Sequence, residues 1–278
     1  MLIANIVEQE NKPTLFKKSS LVRVPIRLGQ DSFTVGEISE KNIDKLTDAM
    51  NAFKLLMRAN EVERYMACAT SAMREATNGQ VVADQILSNT GIDINIIDGK
   101  KEAAIIASTD LKALIEQDKS YLYIDVGGGS TEFTFFSNGR LINSKSFKIG
   151  TVRLINEMVS EQIWDEIEAW VKKNSKGMDR IALIGSGGNI NKIHKLSGKT
   201  VDKPLSHIFL NAQFHFLNAM SYTERISEIG LNPDRADVII PALKIYLNSM
   251  KWSGAKKVYV PKIGLADGII KSLYQEII

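Results

Sequence analysis

Residues 121–136 read Tyr121-Leu-Tyr-Ile-Asp-Val-Gly-Gly-Gly-Ser-Thr-Glu-Phe-Thr-Phe-Phe136. An almost wholly apolar run, fit for a strand inside a sheet, enters three successive glycines, and a second apolar run leaves them. Gly127, Gly128 and Gly129 let the backbone turn tightly and bring amide N–H groups close to an anion with no Cβ in the way. Ser130 and Thr131 add hydroxyl donors. Asp125 and Glu132 bracket the turn with hard oxygens suited to Mg²⁺, reached through water. A glycine run alone would also suit a flexible linker, but here strand-forming segments flank it tightly on both sides. A Walker loop ends in Gly-Lys-Ser/Thr, and this one does not. A dinucleotide fingerprint has a helix after its glycines, whereas here a strand follows. The segment predicts a phosphate-binding turn at the tip of a β-hairpin.

Working outward, Asn138-Gly139 is a two-residue hairpin turn, and Arg140 to Phe147 is a third strand. Ile181 to Ile184 is a strand ending in Gly185-Ser-Gly-Gly188, with a helix from about Asn189. Ser186, Gly187, Gly188 and Asn189 thus sit at a helix start, a natural contact for an anion or nucleotide or, equally, a tight structural turn. Residues 206–250 read as largely helical, Val258 to Val260 as a last strand and Gly264 to Ile278 as a last helix. Upstream, Leu2 to Val7 and Leu15 to Val24 are extended. Ser39 opens a helix as N-cap, with Ile43, Leu46, Met50, Phe53 and Met57 spaced to bury one face. Tyr65 to Thr70 is a strand, about Gly79–Asn89 a helix ended by Gly91, Ile92 to Ile97 a strand, and Lys101 to Glu116 a helix. The polar segment Glu116–Ser120 reads as a hinge. This alternation predicts an α/β protein with mixed sheets.

The chain has 278 residues, enough for two domains, with 44% hydrophobic and 24% charged residues and a net charge of +3. Its lysine pairs are scattered and read as solvated surface, so no nucleic-acid face is expected. The single cysteine, Cys68, lies in an apolar run and reads as a packed core thiol; the lack of a disulfide fits a reducing, cytoplasmic setting. No apolar stretch is long enough to span a bilayer, and the N-terminus does not resemble a signal peptide. His194, His207 and His215 form no metal-ligand spacing and read as structural or surface residues.

Five segments, in order, resemble those of the exopolyphosphatase / guanosine-pentaphosphate phosphatase family. They are Ala69-Thr-Ser-Ala-Met-Arg-Glu-Ala-Thr-Asn-Gly79, Ile97-Asp-Gly-Lys-Lys-Glu-Ala103, Asp125–Glu132, Gly150-Thr-Val-Arg153 and Gly185-Ser-Gly-Gly-Asn189. The resemblance spans nearly the whole chain and implies a two-domain, actin-like (ASKHA, ribonuclease H-like) fold. It implies domain one at residues 1–117, with a C-terminal helix at 265–278 returning to it, and domain two at 118–264. The active site would then lie in the cleft between them. Glu102 matches the family's general base, which orients a water beside a terminal phosphate and takes its proton. Unaided by the resemblance, Glu102 reads as a solvated residue in a helix's first turn. Lys101 stands where many members have a further glutamate. Arg74 matches the phosphate-binding arginine, and Arg153 is either a second such residue or half of a structural ion pair.

Inorganic polyphosphate or guanosine pentaphosphate is the implied substrate, Mg²⁺ the implied cofactor, and a homodimer an implied assembly. Family members usually open with a strand and an "A-x-I-D-x-G-S-N" loop that grips the phosphate from a second side, and this sequence starts after it. Three functions therefore compete: a phosphohydrolase, a non-catalytic binder of polyphosphate or guanosine alarmones that lost activity with that loop, and, least favoured, an ATP-dependent enzyme. Longer members add a helical C-terminal region, so a chain ending at Ile278 is expected to prefer short polyphosphate or nucleotides.

Overall fold

A computed structural model describes residues 1–107, 109, 119–178 and 180–275. The chain divides into two units, one made of Met1–Thr109 with Leu265–Ile278 and the other of Asp110–Gly264.

In the first unit, β1 (Leu2–Val7) and β2 (Leu15–Leu21) form an antiparallel ladder. Two short helices follow in sequence or nearby: α1 (Leu28–Thr34) and, after the long α2 (Glu40–Ala59), α3 (Ser71–Glu75). Ser39 is the N-cap of α2, yet its side chain makes no capping bond. Its hydroxyl and amide instead donate to Asp31, as does Asn42, which ties the end of α1 to the start of α2. β3 (Ala67–Ala69) and β4 (Ile94–Ile96) pair in parallel on either side of α4 (Gly79–Thr90), which Gly91 ends in the left-handed conformation. α5 (Gly99–Ala107) covers the start of the helix expected over 101–116, whose remainder lies outside the described residues apart from Thr109. Ile43, Leu46, Val82, Ile86 and Ile94 form this unit's core. Each buried aliphatic side chain of this size contributes roughly 1.5–3 kcal/mol. Among the described residues the unit's strands make two separate two-stranded ladders.

The second unit holds the mixed sheet, six-stranded in the order β7-β6-β5-β8-β10-β9. β5 (Ser120–Val126), β6 (Thr131–Ser137) and β7 (Arg140–Phe147) run as an antiparallel meander. Asn138 and Gly139 both take positive φ, as the tight turn between β6 and β7 demands. β8 (Ala182–Ser186) joins β5 in parallel and β10 (Lys257–Tyr259) joins β8 in parallel, with the two-residue β9 (Leu205–Ser206) antiparallel at the edge. An antiparallel meander continued by parallel strands is the ribonuclease H-like sheet of actin-like proteins.

Helices α6 (Thr151–Ile155), α7 (Glu161–Ser175), α8 (Gly188–Leu196), α9 (His207–Ala219), α10 (Tyr222–Ser227), α11 (Pro233–Ala236) and α12 (Ile239–Ser253) belong to this unit. β5 is buried along almost its whole length, which is why it reads as a continuous apolar run. Phe133, Phe135 and Phe147 of the meander pack edge-on or tilted around Trp170 of α7, with ring centroids 5.5–6.4 Å apart. The last helix, α13 (Leu265–Gln275), belongs to the first unit, where it packs on α5 and β1.

Candidate active site

The glycine turn of the second unit is shaped by where its carbonyls go. Thr151 N–H donates to Gly127 O at 3.0 Å and Val152 N–H to Gly128 O at 2.9 Å, while Arg153 Nε donates to Gly129 O at 2.9 Å. The first turn of α6 therefore spends amides that a helix start would otherwise leave orphaned on the carbonyls of Gly127 and Gly128, and the Arg153 side chain takes the third, that of Gly129. In a trans peptide the C=O of one residue and the N–H of the next point in opposite directions. Capturing the carbonyls of 127–129 thus turns the amides of Gly128, Gly129 and Ser130 away from α6, and successive amides so aligned make an anion-binding concavity. Gly150 makes the approach possible: a Cβ there would lie 2.3 Å from Gly128 O and 2.6 Å from Gly129 N.

The hydroxyls expected to help hold an anion are committed within the fold. Ser130 Oγ donates to Glu132 Oε1 at 2.7 Å, and Thr131 Oγ1 donates to Ile149 O at 2.6 Å. A hydroxyl has one proton to give, so these two side chains shape the turn while its amides face outward. Arg153 is likewise bonded to the turn it was expected to assist.

Asp125 and Glu132 are direct cross-strand partners, so their side chains leave the same face of the sheet. Glu132 is buried, and Ser146 Oγ also donates to its Oε1, at 3.0 Å. Burial first, and then the charge of Glu132, push the Asp125 carboxyl up to about 7, with the hydroxyls of Ser186 and Tyr123 pulling the other way. Two carboxylates opposed in this manner are unfavourable unless a proton or a cation sits with them. The pair thus fits a divalent ion, and hard oxygens of this kind suit Mg²⁺, whose remaining ligands would be water and substrate oxygens. Among the described residues no group of three or more His, Cys, Asp or Glu gathers for a metal.

The second glycine turn lies beside the first. Ser186 is paired with Asp125 across β5 and β8, and its Oγ donates to Ile263 O at 3.0 Å. Gly187 caps α8, which begins at Gly188 and carries Asn189 in its first turn. Sequence reasoning missed Arg235, whose Nη1 donates to Gly188 O, and Tyr246, whose hydroxyl reaches the Ser186 carbonyl. Each lies more than 45 residues away and touches backbone, which leaves no local signature in the sequence.

In the first unit, Arg74 and Glu102 are joined through one turn. Arg74 Nη1 donates to Ile97 O at 2.6 Å, and Asp98 then caps α5 by accepting the Lys101 amide at 2.7 Å. Glu102 follows in the first turn of that helix, with its N–H on Asp98 O. It is only 7% exposed, which overturns the solvated reading that its helix position alone suggested. Cys68 is half-buried, not a core thiol, and burial and Glu102 raise its pKa while Lys101 lowers it. His194 is a satisfied core residue, its Nε2 lying 3.1 Å from Lys203 O, and His207 and His215 are exposed.

A ribonuclease H-like domain whose first hairpin ends in a glycine turn, beside paired carboxylates, defines an actin-like protein. Comparison with known proteins narrows this. The profile of the Ppx/GppA phosphatase family matches residues 2–276, and the chain belongs to that family. It is 28% identical to the "Bifunctional 3-dehydroquinate synthase/phosphatase" of Fusobacterium nucleatum subsp. nucleatum, over 91% of this chain and 42% of that protein. It is 22% identical to "Exopolyphosphatase 1" of Mycobacterium tuberculosis, over 90% of this chain and 79% of that one. The chain therefore spans less than half of the Fusobacterium protein and about four-fifths of the mycobacterial one. Among solved structures, an exopolyphosphatase from Cytophaga hutchinsonii is similar with a TM-score of 0.83 and 26% identity, covering 99% of this chain and 94% of that one.

Proposed function

We propose that this protein is a phosphohydrolase that releases the terminal phosphate of inorganic polyphosphate, of guanosine pentaphosphate, or of both. The observation that carries the reading is the Gly127–Gly129 turn, whose carbonyls are held by α6 so that its amides face outward. Such amides bind a terminal phosphoryl group through its oxygens and are indifferent to what lies beyond it, which is why both substrate classes stand. In this reading Arg74 adds a guanidinium to the phosphate, and Ser186, Gly187 and Asn189 contribute from the second turn. Glu102 orients a water and takes its proton as the oxygen attacks phosphorus and the bridging P–O bond breaks. Asp125 and Glu132 would hold Mg²⁺, which supplies shielding of phosphoryl charge. Similarity to a Mycobacterium tuberculosis exopolyphosphatase supports polyphosphate.

The test is phosphate release from short-chain polyphosphate and from guanosine pentaphosphate with Mg²⁺, run beside Glu102→Gln. Release by the wild type that falls at least about a hundredfold in the variant is the expected result, in line with the usual contribution of a general base. The second reading is a non-catalytic binder of polyphosphate or guanosine alarmones. Saturable binding of either compound without release at high protein concentration would favour that reading.

A further inference from the structure

We infer that Tyr246 is a positioning residue, whose buried hydroxyl fixes how β5 and β8 diverge and hence how the two glycine turns are set. The inference rests on reading those turns as the phosphate-binding part of the protein. Tyr246 lies on α12 and is 1% exposed. Its hydroxyl lies 2.7 Å from Ser186 O and 3.2 Å from Ile124 O. These carbonyls sit where the ladder ends: Asp125 opposite Ser186 is its last pair, and beyond it one strand enters Gly127–Gly129 and the other Gly187–Gly188. Both carbonyls lie at that closing pair, where the ladder uses one lone pair of each and leaves the second open, and a buried donor placed there steadies the point at which the strands part. The single phenol proton is directed chiefly at the nearer Ser186 O and lies within reach of Ile124 O, so one hydroxyl bridges the two strands.

Gly185 is the other half of the device. A Cβ there would stand 3.1 Å from Tyr246 Cε1, 3.0 Å from Ile190 Cγ1 and 3.2 Å from Val258 Cγ1, all tighter than ordinary contact. The missing side chain at the end of β8 is what lets the ring slide under the fork. Burial, and then the charge of Asp125, hold the phenol well above its ordinary pKa, so it remains a donor at any working pH. Pinning the Ser186 carbonyl also turns the Gly187 amide the opposite way, by the same trans-peptide geometry that orients the first turn. Tyr246 has no place among the residues that would touch substrate; its action passes through the two backbones it joins.

Tyr246→Phe keeps the ring and removes the bonds, and Ile167→Val, in the same core but on α7, serves as a comparator that loses stability on a helix that forms neither turn. Two measurements separate the cases. Hydrogen exchange by mass spectrometry should show faster exchange in peptides spanning 122–131 and 183–190 of Tyr246→Phe, with the other peptides unchanged and Ile167→Val showing no such local effect. Phosphate release should fall about tenfold or more in kcat with KM changed far less, as expected when reacting groups are misaligned and not lost. Unchanged exchange in both peptides overturns the inference whatever the activity, and so does a kcat matching that of Ile167→Val. Local acceleration of exchange in a wild-type background that releases no phosphate would uphold Tyr246 as the brace of the turns while removing the hydrolase reading above.

Discussion

Replacing Asp125 with asparagine should make the ligand-free protein more stable at alkaline pH, against the usual effect of changing a residue beside a glycine turn. The carboxyl has an ordinary value of 3.8 and is pushed up to about 7 in the fold, first by burial and then by Glu132 across the ladder. A tenfold difference in proton affinity is worth about 1.4 kcal/mol, so an ionised Asp125 costs the folded state up to roughly 4 kcal/mol relative to the unfolded chain. Below pH 4 both states hold the proton and nothing is lost. Between about pH 4 and 7 the unfolded chain has released it and the folded chain keeps it, so stability falls with rising pH by up to about 1.4 kcal/mol per unit. Above pH 7 the penalty is complete. The side chain is not wholly enclosed, which brings the expected figure to about 2–4 kcal/mol. Urea unfolding in a chelator at pH 5, 6.5 and 8 should therefore show wild type losing ground to Asp125→Asn, with the variant the more stable at pH 8. Mg²⁺ added at pH 8 should recover wild type and leave the variant unmoved. Parallel profiles for the two proteins, or a variant less stable than wild type at pH 8, would refute the reasoning.

Other positions yield sharper local outcomes. Gly150→Ala should cost about 1–3 kcal/mol in thermal or urea unfolding, since its Cβ would meet the Gly128 peptide, and should reduce phosphate release more than that loss accounts for. Phe133→Ala, which removes one of the three phenylalanine rings packed around Trp170, should cost about 3–5 kcal/mol in urea unfolding. Arg74→Lys should weaken substrate, seen as a raised KM, because an ammonium cannot both hold Ile97 O and make bidentate contact with a phosphate; an unchanged KM would remove Arg74 from the phosphate site.

What the sequence disclosed follows the range of the forces involved. The hairpin of β5 and β6, its glycine turn and the Asn138-Gly139 turn were legible because each depends on residues adjacent in the chain. α1 and α3 were not. The first starts from Arg27 in a left-handed conformation and the second from Thr70 without a side-chain cap, so neither carries a start signal in its letters. Ser39 was legible as an N-cap position, but its hydroxyl serves Asp31, a choice only the neighbouring helix can dictate. Glu102 shows the same limit. A glutamate in a first turn satisfies the helix dipole whether exposed or buried, and its low exposure is a fact about packing that helix position cannot supply.

The candidate site itself shows why a glycine run alone under-determines an anion turn. Glycine permits an amide to point outward but does not require it, since a flexible backbone can as easily present its carbonyls, which would repel phosphate. The direction is set by Thr151, Val152 and Arg153, which draw three carbonyls to one side, and by Gly150, which lets that helix start come within reach. At the second turn the same task falls to Arg235 and Tyr246, from a different part of the chain. The Gly-Thr-Val-Arg segment, whose Arg153 reads from the sequence as a phosphate contact or a structural partner, thus also holds the carbonyls of the turn. Arg153 would then matter most for binding an anion even where it never touches one, because releasing Gly129 O lets that peptide rotate and sets a carbonyl dipole against the ligand in place of an amide.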